Sequence, residues 1–211
     1  MPVSTRNPTA YFAADRAHFL VWLGGRHRRV LDVGCGAGQV GAWLGARGAS
    51  VVGVEIDTPS ASRAATTYER VYNESIETAL PKLEGPFDLI VCADVLEHLV
   101  DPWSVLAELR NLASEATVLA VSIPNIRYLR ALARVAFGRG FEYEAEGIFD
   151  RTHLRFFTRS TVETMLTNAG WHPVRWGGAM RGPRATALSK LTRGRLDEWL
   201  TYQWYVSAVP K

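Results

Sequence analysis

Cysteine is scarce in this chain: Cys35 and Cys92 are the only two in 211 residues. They sit at predicted strand ends, not in a spaced framework, so both read as reduced thiols. Long apolar runs are also missing, and no stretch reaches the roughly 20 residues of a membrane-spanning helix. The opening Met1-Pro2-Val3-Ser4-Thr5-Arg6-Asn7 has no apolar core of the secretory type. These absences predict a cytoplasmic protein with no transmembrane segment. Neither sign of charge dominates, since 24 Lys and Arg face 21 Asp and Glu for a net +3. That balance admits an acidic or phosphorylated partner without requiring one. With 47% hydrophobic and 21% charged residues, the composition is that of a folded domain, not a disordered chain. No internal repeat, low-complexity tract or second domain is visible, so 1–211 is expected to form one domain.

The most informative segment is Val30-Leu31-Asp32-Val33-Gly34-Cys35-Gly36-Ala37-Gly38-Gln39-Val40-Gly41. An apolar strand runs into three alternating glycines, and a helix follows. Glycines serve where a backbone turns sharply or where a ligand must approach it. A strand, a glycine turn and a helix start place amide N–H groups around a crevice. Glu55 ends the next apolar run, Val51-Val52-Gly53-Val54, where such folds put the carboxylate that grips ribose hydroxyls. Gly36, Gly38 and Gly41 also satisfy the dinucleotide pattern G-x-G-x-x-G, which leaves a nicotinamide-dependent dehydrogenase as an alternative. Two details oppose it. The turn begins earlier, at Gly34, and Asp32 would aim a negative charge toward a phosphate loop.

Asp32, Gly34, Gly36 and Gly38 resemble the first motif of the class I S-adenosylmethionine-dependent methyltransferases, an acidic residue followed by G-x-G-x-G. The resemblance implies a Rossmann-like α/β sandwich, with a seven-stranded, mostly parallel sheet whose last strand is antiparallel. It also implies S-adenosyl-L-methionine as cofactor. The loop amides, with Cys35 among them, would surround the methionine part, and Asp32 would orient that loop or meet the amino group. Glu55, followed by Ile56, would take the ribose. Ser75 and Ile76 fall where the adenine contacts are expected, with Glu74 as a substitute for Ser75. Ala93 and Asp94 would pass along the cofactor, and His98 lies close by. Tyr11 and Arg16 resemble a pair that closes over the cofactor, although a plain amphipathic helix explains them as well.

The hydrophobic spacing agrees with this fold. It predicts helices over 8–23, 38–47, 59–69, 102–113 and 160–169, and strands over 30–33, 50–56, 70–73, 87–92, 117–123, 171–176 and 202–209. Strands alternating with helices imply a parallel sheet.

The acceptor side is less constrained. After the fourth strand the chain reads Ala93-Asp94-Val95-Leu96-Glu97-His98-Leu99, not the Asn/Asp-Pro-Pro-aromatic motif of base-amine methyltransferases. Together with a basic run, Arg26-His27-Arg28-Arg29, that carries no interleaved aromatics, this argues against a nucleic-acid partner. Residues 147–158, Gly-Ile-Phe-Asp-Arg-Thr-His-Leu-Arg-Phe-Phe-Thr, resemble a segment of methyltransferases in the type 11/23 group that is associated with glycan and polysaccharide assembly. The resemblance implies O-methylation of a sugar or oligosaccharide hydroxyl. His153 would be the general base and Asp150 would orient it or bind the acceptor, unless both residues only fasten their loop. A quinone or other natural product is the alternative acceptor, and a non-catalytic cofactor-binding module is a third reading. Asp94, Glu97, Asp150 and His153 could also hold a divalent ion, with magnesium the expected species. Residues 124–158 are expected to form a lid or acceptor insertion, basic in 126–140 and acidic in 141–150. The basic stretch equally suits a homodimer face or an interfacial helix.

Overall fold

The computed structural model describes residues 18–138 and 140–211. Its scaffold is one seven-stranded sheet of order β3-β2-β1-β4-β5-β7-β6. The strands are β1 (Arg29–Val33), β2 (Ser50–Val54), β3 (Arg70–Tyr72), β4 (Phe87–Ala93), β5 (Ala113–Pro124), β6 (Trp171–Met180) and β7 (Thr201–Pro210). Pairing is parallel from β3 through β5, and β7 runs antiparallel to both β5 and β6. This is the expected Rossmann-like arrangement, including its reversed last strand.

Among the described residues the helices are α1 (18–23), α2 (Gln39–Gly45), α3 (Thr58–Ala64), α4 (Ile76–Ala79), α5 (Pro102–Asn111), α6 (Leu129–Phe137), α7 (Arg159–Asn168), α8 (Pro183–Leu191) and α9 (Asp197–Leu200). Their starts follow from local chemistry. Asp57 caps α3 by accepting from the Ser60 N–H at 3.0 Å, and Asp101 caps α5 from the Ser104 N–H at 3.0 Å. Pro102 opens α5 where a missing N–H costs nothing. Helix α3 stops at Ala64, short of the predicted 69. The Thr66 and Thr67 hydroxyls bond the carbonyls of Arg63 and Ala64, which competes with helix propagation.

Strand alternation divides the core between the two faces of the sheet. Leu31, Val33, Ile90, Leu106, Val121 and Trp171 belong to one cluster, and Val30, Leu44, Leu89, Val91, Phe19 and Tyr205 to the other. Fully burying one such large apolar side chain contributes about 1.5–3 kcal/mol. Cys35 and Cys92 are both free and buried. Among the described residues, no helix is long and apolar enough to cross a membrane.

Residues 125–157 leave the sheet after β5 and return before α7. The excursion is closed at its base by a parallel bridge between Asn125 and Phe157, with the Ile126 N–H donating to the Phe157 carbonyl at 2.9 Å. Asn125 is fully buried, and its side-chain amide donates to the carbonyls of Glu198 and Thr201.

Candidate functional site

A cleft of about 400 Å³ opens at the C-terminal ends of β1, β2 and β4. Gly34, Gly36, Glu55, Ile56, Ser75, Ile76, Asp94 and His98, all singled out in the sequence, line it. Val33, Val54, Glu74, Glu77, Val95, Leu99 and Val100 complete the wall. Five of these are apolar residues without a distinctive pattern, and only the fold reveals that they face a ligand space.

Gly34 is needed at its position for two reasons. Its φ is +64°, and a Cβ there would come within 2.4 Å of the Val95 side chain. Leaving the Cβ off lets the loop turn against Val95 and keeps the mouth open. Glu55 stands across the cleft with its carboxylate already oriented. The Gly36 N–H donates to Oε2 and the Asp57 N–H to Oε1, both at 2.8 Å. Each oxygen keeps further acceptor capacity for a ligand hydroxyl.

Asp32 lies beneath the loop, not in the cleft. It shares the sheet face of Val30, is 1% exposed, and accepts from the Tyr68 hydroxyl at 2.5 Å. The same hydroxyl accepts from the Gly41 N–H at 2.9 Å. Burial, reinforced by the Asp32 charge, pushes the Tyr68 phenol far above its ordinary range, so it remains a donor. Asp32 is therefore linked through Tyr68 to Gly41 in the first turn of α2, just after the glycine loop. Cys35 and Ala93 are buried behind the cleft wall, and Gly38, with φ +88°, starts α2. Tyr11 and Arg16 lie outside the described residues.

The adenine-side expectations meet competition. The Ser75 hydroxyl caps α4, accepting from the Thr78 N–H at 3.4 Å and meeting the Thr78 hydroxyl at 3.1 Å. Glu74 is ion-paired with Lys82. Ile56 and Val100, 71% and 68% exposed, present apolar surface at the rim.

Asp94 holds a left-handed backbone, φ +58°, just beyond β4. Its carboxylate accepts from the Gln203 side-chain amide, which also donates to the Ser122 hydroxyl at 2.8 Å. Aspartate tolerates this region better than most residues, yet such strain persists only where the surroundings impose it.

The two candidate histidines come together. The rings of His98 and His153 are edge-on with centroids 4.8 Å apart. His98 lines the cleft, whereas His153 is 8% exposed and lies behind it. His98 Nδ1 is 3.2 Å from the Thr152 carbonyl and His153 Nδ1 is 3.0 Å from the Ile148 carbonyl. A carbonyl only accepts, so each Nδ1 carries the proton and each Nε2 is a base. Burial lowers the His153 pKa below the usual histidine value. Its bond to the Ile148 carbonyl opposes that shift, nearby His98 adds to it, and Asp150 opposes it more weakly.

Asp150 does not orient the His153 ring. Its Oδ1 accepts from the Thr152 N–H at 2.8 Å and the Thr152 hydroxyl at 2.6 Å, so it shapes its own turn. The loop is fastened further by the N–H groups of Leu154 and Arg155, both donating to the Glu97 carbonyl. The ion site predicted from Asp94, Glu97, Asp150 and His153 is also rearranged, because Gln203 and Thr152 occupy the two aspartates. Glu97, His98 and His153 instead place candidate ligand atoms within 4.8 Å of one another. Two imidazoles and one carboxylate suit a transition ion better than magnesium.

The profile of a methyltransferase domain family matches residues 6–175. A ubiquinone biosynthesis O-methyltransferase of Psychrobacter arcticus is 28% identical over 157 residues, covering 68% of this chain and 59% of that protein. The chain spans about two fifths to two thirds of the length of the curated relatives it matches. A SAM-dependent methyltransferase from Archaeoglobus fulgidus superposes with a TM-score of 0.70 at 17% identity, covering 96% of this chain and 94% of that one. Magnesium protoporphyrin IX methyltransferase from Synechocystis PCC 6803, solved with bound SAM, superposes at 0.60 and 17% identity, covering all of this chain and 87% of that one. These two likenesses establish the shared fold.

Proposed function

Because the chain belongs to this methyltransferase domain family, we propose that it transfers a methyl group from S-adenosylmethionine to a hydroxyl of a small molecule. The observation that carries the reading is the glycine-lined cleft with Glu55 held across it. Glu55 would take the ribose hydroxyls, the turn at Gly34 and Gly36 the methionine part, and the apolar rim of Ile56 and Val100 the flat adenine. The relatives' names, ubiquinone biosynthesis O-methyltransferase, favour a hydroxyl on a quinone precursor over the sugar or glycan hydroxyl expected from the sequence.

The displacement forms a carbon–oxygen bond and breaks the carbon–sulfur bond of the sulfonium. The acceptor must lose its proton, and the sulfur leaves as a neutral thioether. The proposed proton acceptor is an imidazole Nε2 of the histidine pair. His98 is the better candidate because it reaches the cleft wall, with His153 packed behind it. Alignment supplies the rest of the rate, since the leaving group is already good. Residues 125–157 serve in this reading as the acceptor lid. An ion held by Glu97, His98 and His153 would supply Lewis acidity at the acceptor oxygen. Turnover that survives EDTA selects the imidazole.

Calorimetric titration of the folded protein with S-adenosylhomocysteine tests the cofactor reading. Binding is expected, with none for NAD, and absence of binding overturns the proposal. Radiolabelled methyl transfer to catechols and sugars then identifies the acceptor, and His98→Ala should lose turnover while retaining cofactor affinity.

A further inference from the structure

A second cavity, of about 410 Å³, lies between the excursion and the residues Arg181 and Tyr202, and it shares no lining residue with the first. Three arginines reach it: Arg130 and Arg134 from α6, and Arg181 from the turn after β6. Arg134 is neutralised by Glu144 at 2.6 Å. The Arg181 guanidinium lies 3.5 Å from the centre of the Tyr202 ring and interacts with that side chain's hydroxyl. Arg130 has no carboxylate within ion-pair distance among the described residues. The Tyr128 and Tyr202 rings, perpendicular with centroids 5.5 Å apart, form an aromatic wall. Glu146 also lines the cavity, and its Oε2 is buried with no hydrogen-bond partner.

Each feature asks something of a ligand. A buried carboxylate oxygen without a donor is costly, so the ligand should offer a hydroxyl there. Arg130 and Arg181 present forked donors that match a carboxylate or phosphate. The tyrosine wall suits the face of a ring. The cavity is coupled to the first cleft through one residue: Ile148 lines its wall, and its carbonyl holds His153 Nδ1, with His98 next in line.

The geometry points to an oxyanion-binding subsite. This cavity takes the carboxylate or phosphate of a hydroxylated ring, with Arg130 and Arg181 on the anion and Glu146 accepting from a ring hydroxyl. The inference deepens the proposed transfer reaction and rests on it for the ligand's identity as acceptor. It predicts that the preferred acceptor is an acid.

The test is calorimetric titration of protein saturated with S-adenosylhomocysteine. Two acid probes and a phosphate probe are used: 3,4-dihydroxybenzoate, glucuronate and glucose 1-phosphate. Catechol and methyl glucoside are their neutral counterparts. At least one anionic probe should bind tenfold or more tightly than its counterpart, and the strongest identifies both the ring and the oxyanion. Arg130→Ala, on an exposed helix position, and Arg181→Ala should each remove tenfold or more of that affinity. Glu146→Gln should weaken the hydroxylated probe and leave benzoate unchanged. Neutral probes binding as well as anionic ones, or an unaffected Arg130→Ala, overturns the inference. Cofactor-product affinity, measured in the same samples, keeps the two claims apart. Its absence in the unmodified protein defeats the proposed function, whereas absent anion binding beside intact cofactor binding defeats only the subsite.

Discussion

Tyr68→Phe removes a single oxygen, but that oxygen links the first turn of α2, which follows the glycine loop, to the sheet. It donates to the buried Asp32 carboxylate at 2.5 Å and accepts from the Gly41 N–H at 2.9 Å. A hydrogen bond to a charged group contributes about 1.5–3 kcal/mol, and a buried amide left without its acceptor costs about 1–3 kcal/mol. The ring stays in place, so no cavity term is added, and the expected loss is about 3 kcal/mol in all. For a chain of this size each kcal/mol lowers Tm by about 2–4 °C, so the drop should be about 6–12 °C by calorimetry. Affinity for S-adenosylhomocysteine should fall with it, because the loop loses its brace. Tyr72→Phe is the control: its hydroxyl meets the Lys82 carbonyl at 3.2 Å in an exposed setting, and its Tm should move by no more than about 2 °C. Equal, small shifts for both variants would refute the bracing role.

Glu55→Gln leaves one acceptor oxygen where Gly36, Asp57 and, in the proposed reading, a ribose would share two, so affinity for S-adenosylhomocysteine should drop about 10–100-fold by titration. Gly34→Ala should lower Tm and abolish cofactor binding. Its left-handed backbone alone costs about 1–2 kcal/mol, and contact with Val95 adds to that. Adding Val95→Ala should recover part of the loss, and a double variant no better than the single one would show that the contact is not the cause. His153 has its pKa lowered from 6.5 in the folded state, so the unfolded chain binds more protons below that pH. Stability should therefore fall as pH drops below about 6.5 toward the folded pKa, and His153→Gln should flatten that slope in thermal scans.

The parallel half of the sheet was legible because buried strands are short apolar runs separated by helical spacing. The glycine turn was legible because a backbone that turns tightly leaves a gap in side-chain size, and Asp32 and Glu55 stood out as carboxylates beside or at the end of apolar strands. Tyr68 was not, since its two partners lie 36 and 27 residues away and nothing local marks the connection. Strand β6 was expected to end at Trp176 but continues to Met180. Gly177 and Gly178 carry no apolar signal, and the fold uses them for close approach to Trp22 and to Thr201 with Gln203. Strand β5 begins four residues before the predicted Thr117 because its first residues are largely exposed and carry no apolar alternation. Helices α8 and α9 went unread within a segment whose charge masked its periodicity. The histidine pair shows the limit most clearly. Both residues stood out in the sequence, but only the folded loop reveals which one reaches the cleft.

Gln203 belongs to the strand added last, beyond the region that the family profile covers. Its amide reaches back more than a hundred positions to steady Asp94 on the rim of the cleft. The cleft therefore gains this part of its wall only once β7 has docked between β5 and β6. A cut within β7 would also unseat β6, because β7 lies between β5 and β6, although every glycine of the loop would stay intact.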